Sequence, residues 1–256
     1  MDAERDFSRR ANGLMEPHLI DDLAHKEKFY WWHRVRRRNL HRLTGLWTAS
    51  GGRVLEIGCG TGANLRDQIS QLEVAVGFDL EMRALSYCRD LFPVQGDAHS
   101  PLPFVDDAFD AVLMIDILEH LADPGALVDE VGRILVHGGA AVVMAPAGPG
   151  LWSYWDEMHG HYRRYTKTAL ASIFAEGWRM QALEYSFSWM YPVVWAFRRF
   201  MQRWRRSPTY SDFIEVPDLV NGVLVAIGSL EGRAQGFMPA PLGTTLCGVW
   251  LKDGEP

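Results

Sequence analysis

Residues 54–62 read VLEIGCGTG, an aliphatic run that gives way at once to a glycine at every second position. A strand that ends in Gly58, Gly60 and Gly62 and leads into a helix brings bare backbone close to a ligand. Glycine has no side chain to obstruct that approach, and it tolerates positive φ. Downstream, strand-like segments at 74–78, near 94, at 109–114 and at 140–144 alternate with helical segments from about 64, at 82–89 and at 124–135. Pro124 suits the first turn of the last of these helices. The alternation implies parallel strands joined by crossover helices.

On either side of this core the pattern changes. Residues 17–47 have helical spacing and include the run FYWWHRVRRR, which we read as a helical cap covering 1–50. Residues 51–256 then form one α/β domain. Within it the connection 151–166 is long enough to suggest a functional role. Thr166 caps a helix that Gly177 closes, a sixth strand occupies 180–185, and a last, β-branched and aromatic strand occupies 244–251. Helical stretches at 191–206 and 218–232 make an insertion over 190–235 before that strand.

The composition, 48% hydrophobic and 23% charged over 256 residues, is that of a globular chain with one large core. A net charge of −6 argues against a phosphate-neutralising surface, so nucleic acid is not expected as a partner. Cys59, Cys88 and Cys247 lack paired spacing, which fits a reducing, cytoplasmic setting. Residues 1–20 carry charges throughout and do not read as a signal peptide. The longest apolar stretches, 189–197 and 219–230, fall short of the roughly 20 residues of a membrane-spanning helix.

The loop alone would suit any nucleotide-like ligand, although its GxGxG spacing differs from the GxGxxG of dinucleotide sites. Asp79 ends the second strand and can accept from both hydroxyls of a ribose, while Glu56 lies beneath the loop. More specific are GDA at 96–98, FDAVLMIDILEHL at 109–121 and RILVHGGAAVVMAP at 133–146. Taken together, residues 50–146 resemble the class I S-adenosylmethionine-dependent methyltransferases, in particular the group that includes ubiquinone and menaquinone biosynthesis enzymes. The resemblance implies a Rossmann-like, seven-stranded, mostly parallel sheet with an antiparallel last strand, and S-adenosyl-L-methionine as cofactor. It further implies that the loop of Gly58, Cys59, Gly60 and Gly62 passes under the methionine and ribose, with Glu56 nearby. Asp79 would hold the ribose, Leu80 would pack on the adenine, and Asp97 would accept the exocyclic amine. The Ala98 amide would face a ring nitrogen, and Asp116 would stand at the methionine end.

Methyl transfer from a sulfonium needs mainly positioning, and a base only where the acceptor must lose a proton. His120, beside Glu119, is one candidate base, or else it pins a helix start. The HGHYRRY run supplies His161 as a second candidate and Arg164 and Tyr165 as acceptor contacts; equally, Arg164 could pair with an acid and Tyr165 could pack on the next helix. In the cap, Tyr30 or Trp31 could cover the acceptor and Arg34, Arg37 or Arg38 could clamp the methionine carboxylate, or the arginines could form a solvated face. Asp116, Glu119 and His120 with His159 or His161 echo in part the metal-binding arrangement of small-RNA 2'-O-methyltransferases. The acidic balance disfavours RNA, and the expectation is a site without metal. The stretch 189–206 sets Trp189, Trp195 and Trp204 among Arg198, Arg199, Arg203, Arg205 and Arg206. It could touch an anionic membrane peripherally, roof an apolar acceptor, or simply pack. The expected function is methyl transfer to a small-molecule or lipid-like acceptor at an oxygen, nitrogen or carbon left open. The competing readings are a non-catalytic S-adenosylmethionine-binding module and a nicotinamide-dependent oxidoreductase, which the loop spacing and GDA oppose.

Overall fold

A computed structural model describes residues 17–45, 51–200, 216–235 and 237–253. Seven strands form one sheet: β1 (Arg53–Ile57), β2 (Val74–Asp79), β3 (Phe92–Gln95), β4 (Phe109–Ile115), β5 (Leu135–Pro146), β6 (Trp178–Ser186) and β7 (Thr245–Lys252). Their order is β3-β2-β1-β4-β5-β7-β6. The first five run parallel, and β7 lies antiparallel between β5 and β6. The order reverses between β1 and β2 on one side and β4 on the other, so the carboxyl ends of these strands open a crevice at the Gly58–Gly62 loop.

The central strands are apolar along their length because both faces are covered. In β4, Val112 and Met114 join one core while Ala111, Leu113 and Ile115 join the other. In β5, Ala141 and Val143 alternate in the same way with Ala140, Val142 and Met144. Short α3 (Ala63–Arg66) and α4 (Met82–Leu85) follow β1 and β2, and α5 (Pro124–Ile134) precedes β5. The Asp123 side chain caps α5 by accepting from the Gly125 amide, with Pro124 in the first turn as expected. Past β5 come α6 (Tyr154–Met158) and α7 (Lys167–Ala171), the latter capped by Thr166.

Several boundaries differ from the sequence expectation. The cap is two helices, α1 (Pro17–Phe29) and α2 (Trp31–Thr44), broken at Tyr30, whose backbone is extended. The cause is distant in sequence: Asn221 accepts from the Trp31 amide at 2.8 Å and donates to the Phe29 carbonyl at 2.9 Å. The helix expected over 82–89 is α4 alone, closing in turns through Cys88, and β5 starts directly where α5 ends. In the insertion, α8 (Tyr191–Phe200) and α9 (Asp218–Ala234) are present; residues 201–206, with Arg203, Trp204, Arg205 and Arg206, lie outside the described residues, as do 46 and 47. A close approach joins α9 to α2, since a Cβ on Gly228 would stand 2.6 Å from Val35 Cγ1.

Candidate functional site

The side of the crevice at the ends of β1 and β2 is built from backbone. Gly58, Gly60 and Gly62 have φ of +72°, +54° and +79°, which turns the chain under the crevice and into α3. Asp79, at the end of β2, ties this loop to the next one: Oδ2 accepts from the Gly60 amide and Oδ1 from the Glu81 amide, each at 2.8 Å. Burial raises the Asp79 pKa against the lowering effect of those amides. Leu80 is exposed beside it, and Asp97 accepts from the His99 amide at 2.9 Å. Ala98 is partly buried and packs against the core. The expected donor residues thus share one edge of the sheet.

Glu56 is buried beneath the loop at 1% exposure. Asn64 Nδ2 donates to its Oε1 at 2.6 Å, and its Oε2 has no hydrogen-bond partner among the described residues. Burial pushes its pKa up to about 8. Cys59 is buried as well, with Sγ 3.6 Å from the Gly60 carbonyl oxygen.

Helices α1 and α2 lie across this loop. The Glu27 carboxylate accepts from the Thr61 hydroxyl, and Arg37 reaches Asp67 at 2.6 Å and the Glu27 carbonyl at 2.7 Å. Arg37 is therefore engaged in docking the cap. A different arginine points into the crevice: Arg36 donates to Asp116 and stands 4.5 Å over the Trp32 ring. Sequence reasoning passed over Arg36, although its i, i+4 spacing from Trp32 put the two on one helical face. Arg34 is partly buried on the same helix. Asp116 itself has φ of +52°, a conformation that re-aims the chain at the end of β4. Trp31 is buried, its ring 6.1 Å from Phe187 and 5.7 Å from Trp189, and the Tyr30 ring lies 5.8 Å from it.

Beyond β4, a second polar group forms around Asp156, which is 1% exposed. At the start of α6 the Asp156 carboxylate accepts from the Ser153 amide at 2.9 Å, one half of a capping box. His161 Nδ1 lies 3.1 Å from Oδ1, Arg164 Nε pairs with Oδ1 at 2.6 Å, and Arg198 Nη1 pairs with Oδ2 at 3.2 Å. The Arg164 contact is an ion pair whose N–H is not aligned for a hydrogen bond. Burial alone would raise the Asp156 pKa, but His161 and the two arginines outweigh it and bring it down to about 2. Arg164 is thus committed to an acid, and Tyr165, 2% exposed, donates to the Leu118 carbonyl from within the core. The segment that carries them folds back against the turn after β4. His120 and His161 do come together, with ring centroids 4.7 Å apart. Glu119, 1% exposed, sits next to them, its carboxyl held well above the usual range by burial and by Asp116. Burial brings His120 down to about 4.

Residues 31–178 match a family described as a methyltransferase domain. A probable S-adenosylmethionine-dependent methyltransferase from Mycolicibacterium smegmatis is 31% identical over 128 residues, 47% of each chain, so this chain spans about half the length of that relative. A demethylmenaquinone methyltransferase from Tropheryma whipplei is 27% identical over 176 residues, 65% of this chain and 67% of that protein. Among solved structures, a chain of the complex between the Haloferax volcanii Trm112 methyltransferase activator and a methyltransferase shares the fold with a TM-score of 0.64 at 18% identity. That match covers 93% of this chain and 96% of the other.

Proposed function

Since the chain belongs to the class I S-adenosylmethionine-dependent methyltransferases, we propose that it carries a methyl group from that cofactor to a small, largely apolar or lipid-like acceptor. One arrangement supports this above all: the three positive-φ glycines and Asp79 meet at the carboxyl ends of β1 and β2, with the buried, half-satisfied carboxyl of Glu56 beneath them. These residues fit the cofactor. Asp79 keeps lone pairs for ribose hydroxyls, exposed Leu80 offers a face for adenine, and the orphaned Glu56 oxygen suits an ammonium group. We assign the adenine edge to Asp97 and the Ala98 amide.

When bound, S-adenosylmethionine supplies a methyl group already activated by its sulfonium. The residues of this chain then position and shield the reactants. Arg36 and Asp116 mark the end of β4, and the aromatic group of Tyr30, Trp31, Trp32, Phe187 and Trp189 adjoins them through the stacking of Arg36 on Trp32. That wall favours an apolar acceptor body. Val193, Trp195, Phe197 and Phe200 of α8 are exposed, which supports a lipid-like acceptor or a peripheral membrane contact, and the T. whipplei relative is named for a quinone substrate. To His120 and His161 we assign the acceptor's proton.

The test is transfer of labelled methyl from S-adenosylmethionine to quinols, fatty acids and phospholipids set against polar amines, with cofactor affinity measured in parallel. Asp79→Ala should weaken cofactor binding by about 1–3 kcal/mol. Unchanged affinity, or transfer confined to the polar amines, would refute the proposal.

A further inference from the structure

We propose that Glu119, His120 and His161 form a binding site for a divalent transition metal. Each offers one ligand atom, and these three atoms lie within 4.8 Å of one another. Donors on a common metal at about 2.1 Å stand at most about 4.2 Å apart, so a small rotation of one imidazole closes the set. The Glu119 side chain is 1% exposed, and its Oε2 has no partner among the described residues. A buried carboxylate oxygen left unpaired is costly, and a cation among these ligands would remove that cost.

The surroundings favour a metal over a chance cluster. His161 presents Nδ1 to Asp156 Oδ1 at 3.1 Å, and Asp156 is fixed as a carboxylate acceptor by Arg164 and Arg198. This leaves Nδ1 as the donor and Nε2 as the free ligand nitrogen, the carboxylate–histidine–metal relay that orients ligating imidazoles. The backbone holds the parts in register, since the Tyr162 amide donates to the Glu119 carbonyl at 2.7 Å and links the turn after β4 to the segment that carries His161. Two imidazoles and one carboxylate select zinc, manganese, iron or cobalt over calcium or magnesium, and three protein ligands leave coordination positions open. The inference rests on the acceptor-side reading above and replaces direct proton transfer to the histidines in it: His120 and His161 would hold the metal, and the metal would lower the pKa of an acceptor hydroxyl at an open position so that its proton passes to solvent.

The experiment titrates chelator-treated full-length protein with Co²⁺ and with Zn²⁺, following heat and cobalt visible absorption, while S-adenosylmethionine affinity is measured on the same preparation. One equivalent of metal is expected, with paramagnetically shifted imidazole N–H signals in the cobalt form. Glu119→Gln keeps the buried volume, and His161→Asn removes the ligand facing Asp156. Each should weaken metal binding by at least the ~10–100-fold typical of losing a second-shell partner, with cofactor affinity retained. Absence of stoichiometric binding by the wild-type protein, or wild-type metal affinity in both variants, would overturn the proposal. Failure of S-adenosylmethionine to bind would instead strike the methyltransferase reading, since the metal titration is read separately.

Discussion

Replacing Glu56 by glutamine should make the cofactor-free protein more stable at neutral pH, and the gain should vanish in mild acid. Glu56 ionises with a pKa of about 4.5 in an unfolded chain, and burial raises this to about 8 in the fold. The folded state therefore holds the proton more tightly than the unfolded state does. Glu56's contribution to stability is whole below pH 4.5 and drains away as pH rises towards 8. At pH 7 the gap to the unfolded value is about 2.5 pH units, which at 1.36 kcal/mol per unit amounts to about 3 kcal/mol. At pH 5 the same reckoning leaves less than about 1 kcal/mol. Glutamine has the same volume, never ionises, and can keep the Asn64 hydrogen bond through its own Oε1. Its amide group leaves a donor unpaired, as does the hydroxyl of protonated Glu56, so that cost nearly cancels. Urea unfolding of wild type and Glu56→Gln at pH 5 and pH 7 measures the difference. Equal differences at the two pH values, or a variant less stable at pH 7, would refute burial as the cause. Affinity for the cofactor should move the other way, because a neutral amide has no charge to offset an ammonium group.

Two further substitutions probe the framework around the crevice. Gly62→Ala should lower stability by about 1–3 kcal/mol and weaken cofactor binding, since φ is +79° there and the new Cβ would stand 2.6 Å from Leu91 Cδ1 and 2.9 Å from Cys88 Sγ; thermal melting and cofactor titration report both effects. Asp156→Asn leaves Arg164 and Arg198 without their shared carboxylate and should cost about 3–5 kcal/mol in urea unfolding, whereas a loss below about 1 kcal/mol would deny Asp156 its place as the hub.

The sheet was legible because its strands are buried on both faces, so runs such as 109–115 carry hydrophobicity without alternation and stand out from the helices between them. The glycine loop was legible because a tight, positive-φ turn demands glycine, and glycine is visible as such in a sequence. The cap's break at Tyr30 was not, since it depends on Asn221 on another element rather than on any local breaker. Arg36 was only faintly legible among Arg34, Arg37 and Arg38, since its spacing from Trp32 shows in the sequence but its partner Asp116 lies on another element. Nothing in the sequence sets Asp156 apart within the long connection. Its importance comes from three basic groups brought to it by two segments, His161 and Arg164 from its own connection and Arg198 from α8.

The place of β7 has a consequence for the order in which the molecule assembles. Residues 245–252 pair with β5 at 140–146 and with β6 at 178–186, so the strand made after both of them is the one that joins them. Until it has left the ribosome, β5 has an open edge and β6 has no neighbour, although the parallel half that carries the glycine loop can already be complete. Such late, long-range pairing slows folding and leaves strand edges open to other chains. The nascent protein is thus expected to form the crevice at its glycine loop before β6, and the Phe187 segment that follows it, are fixed against the sheet.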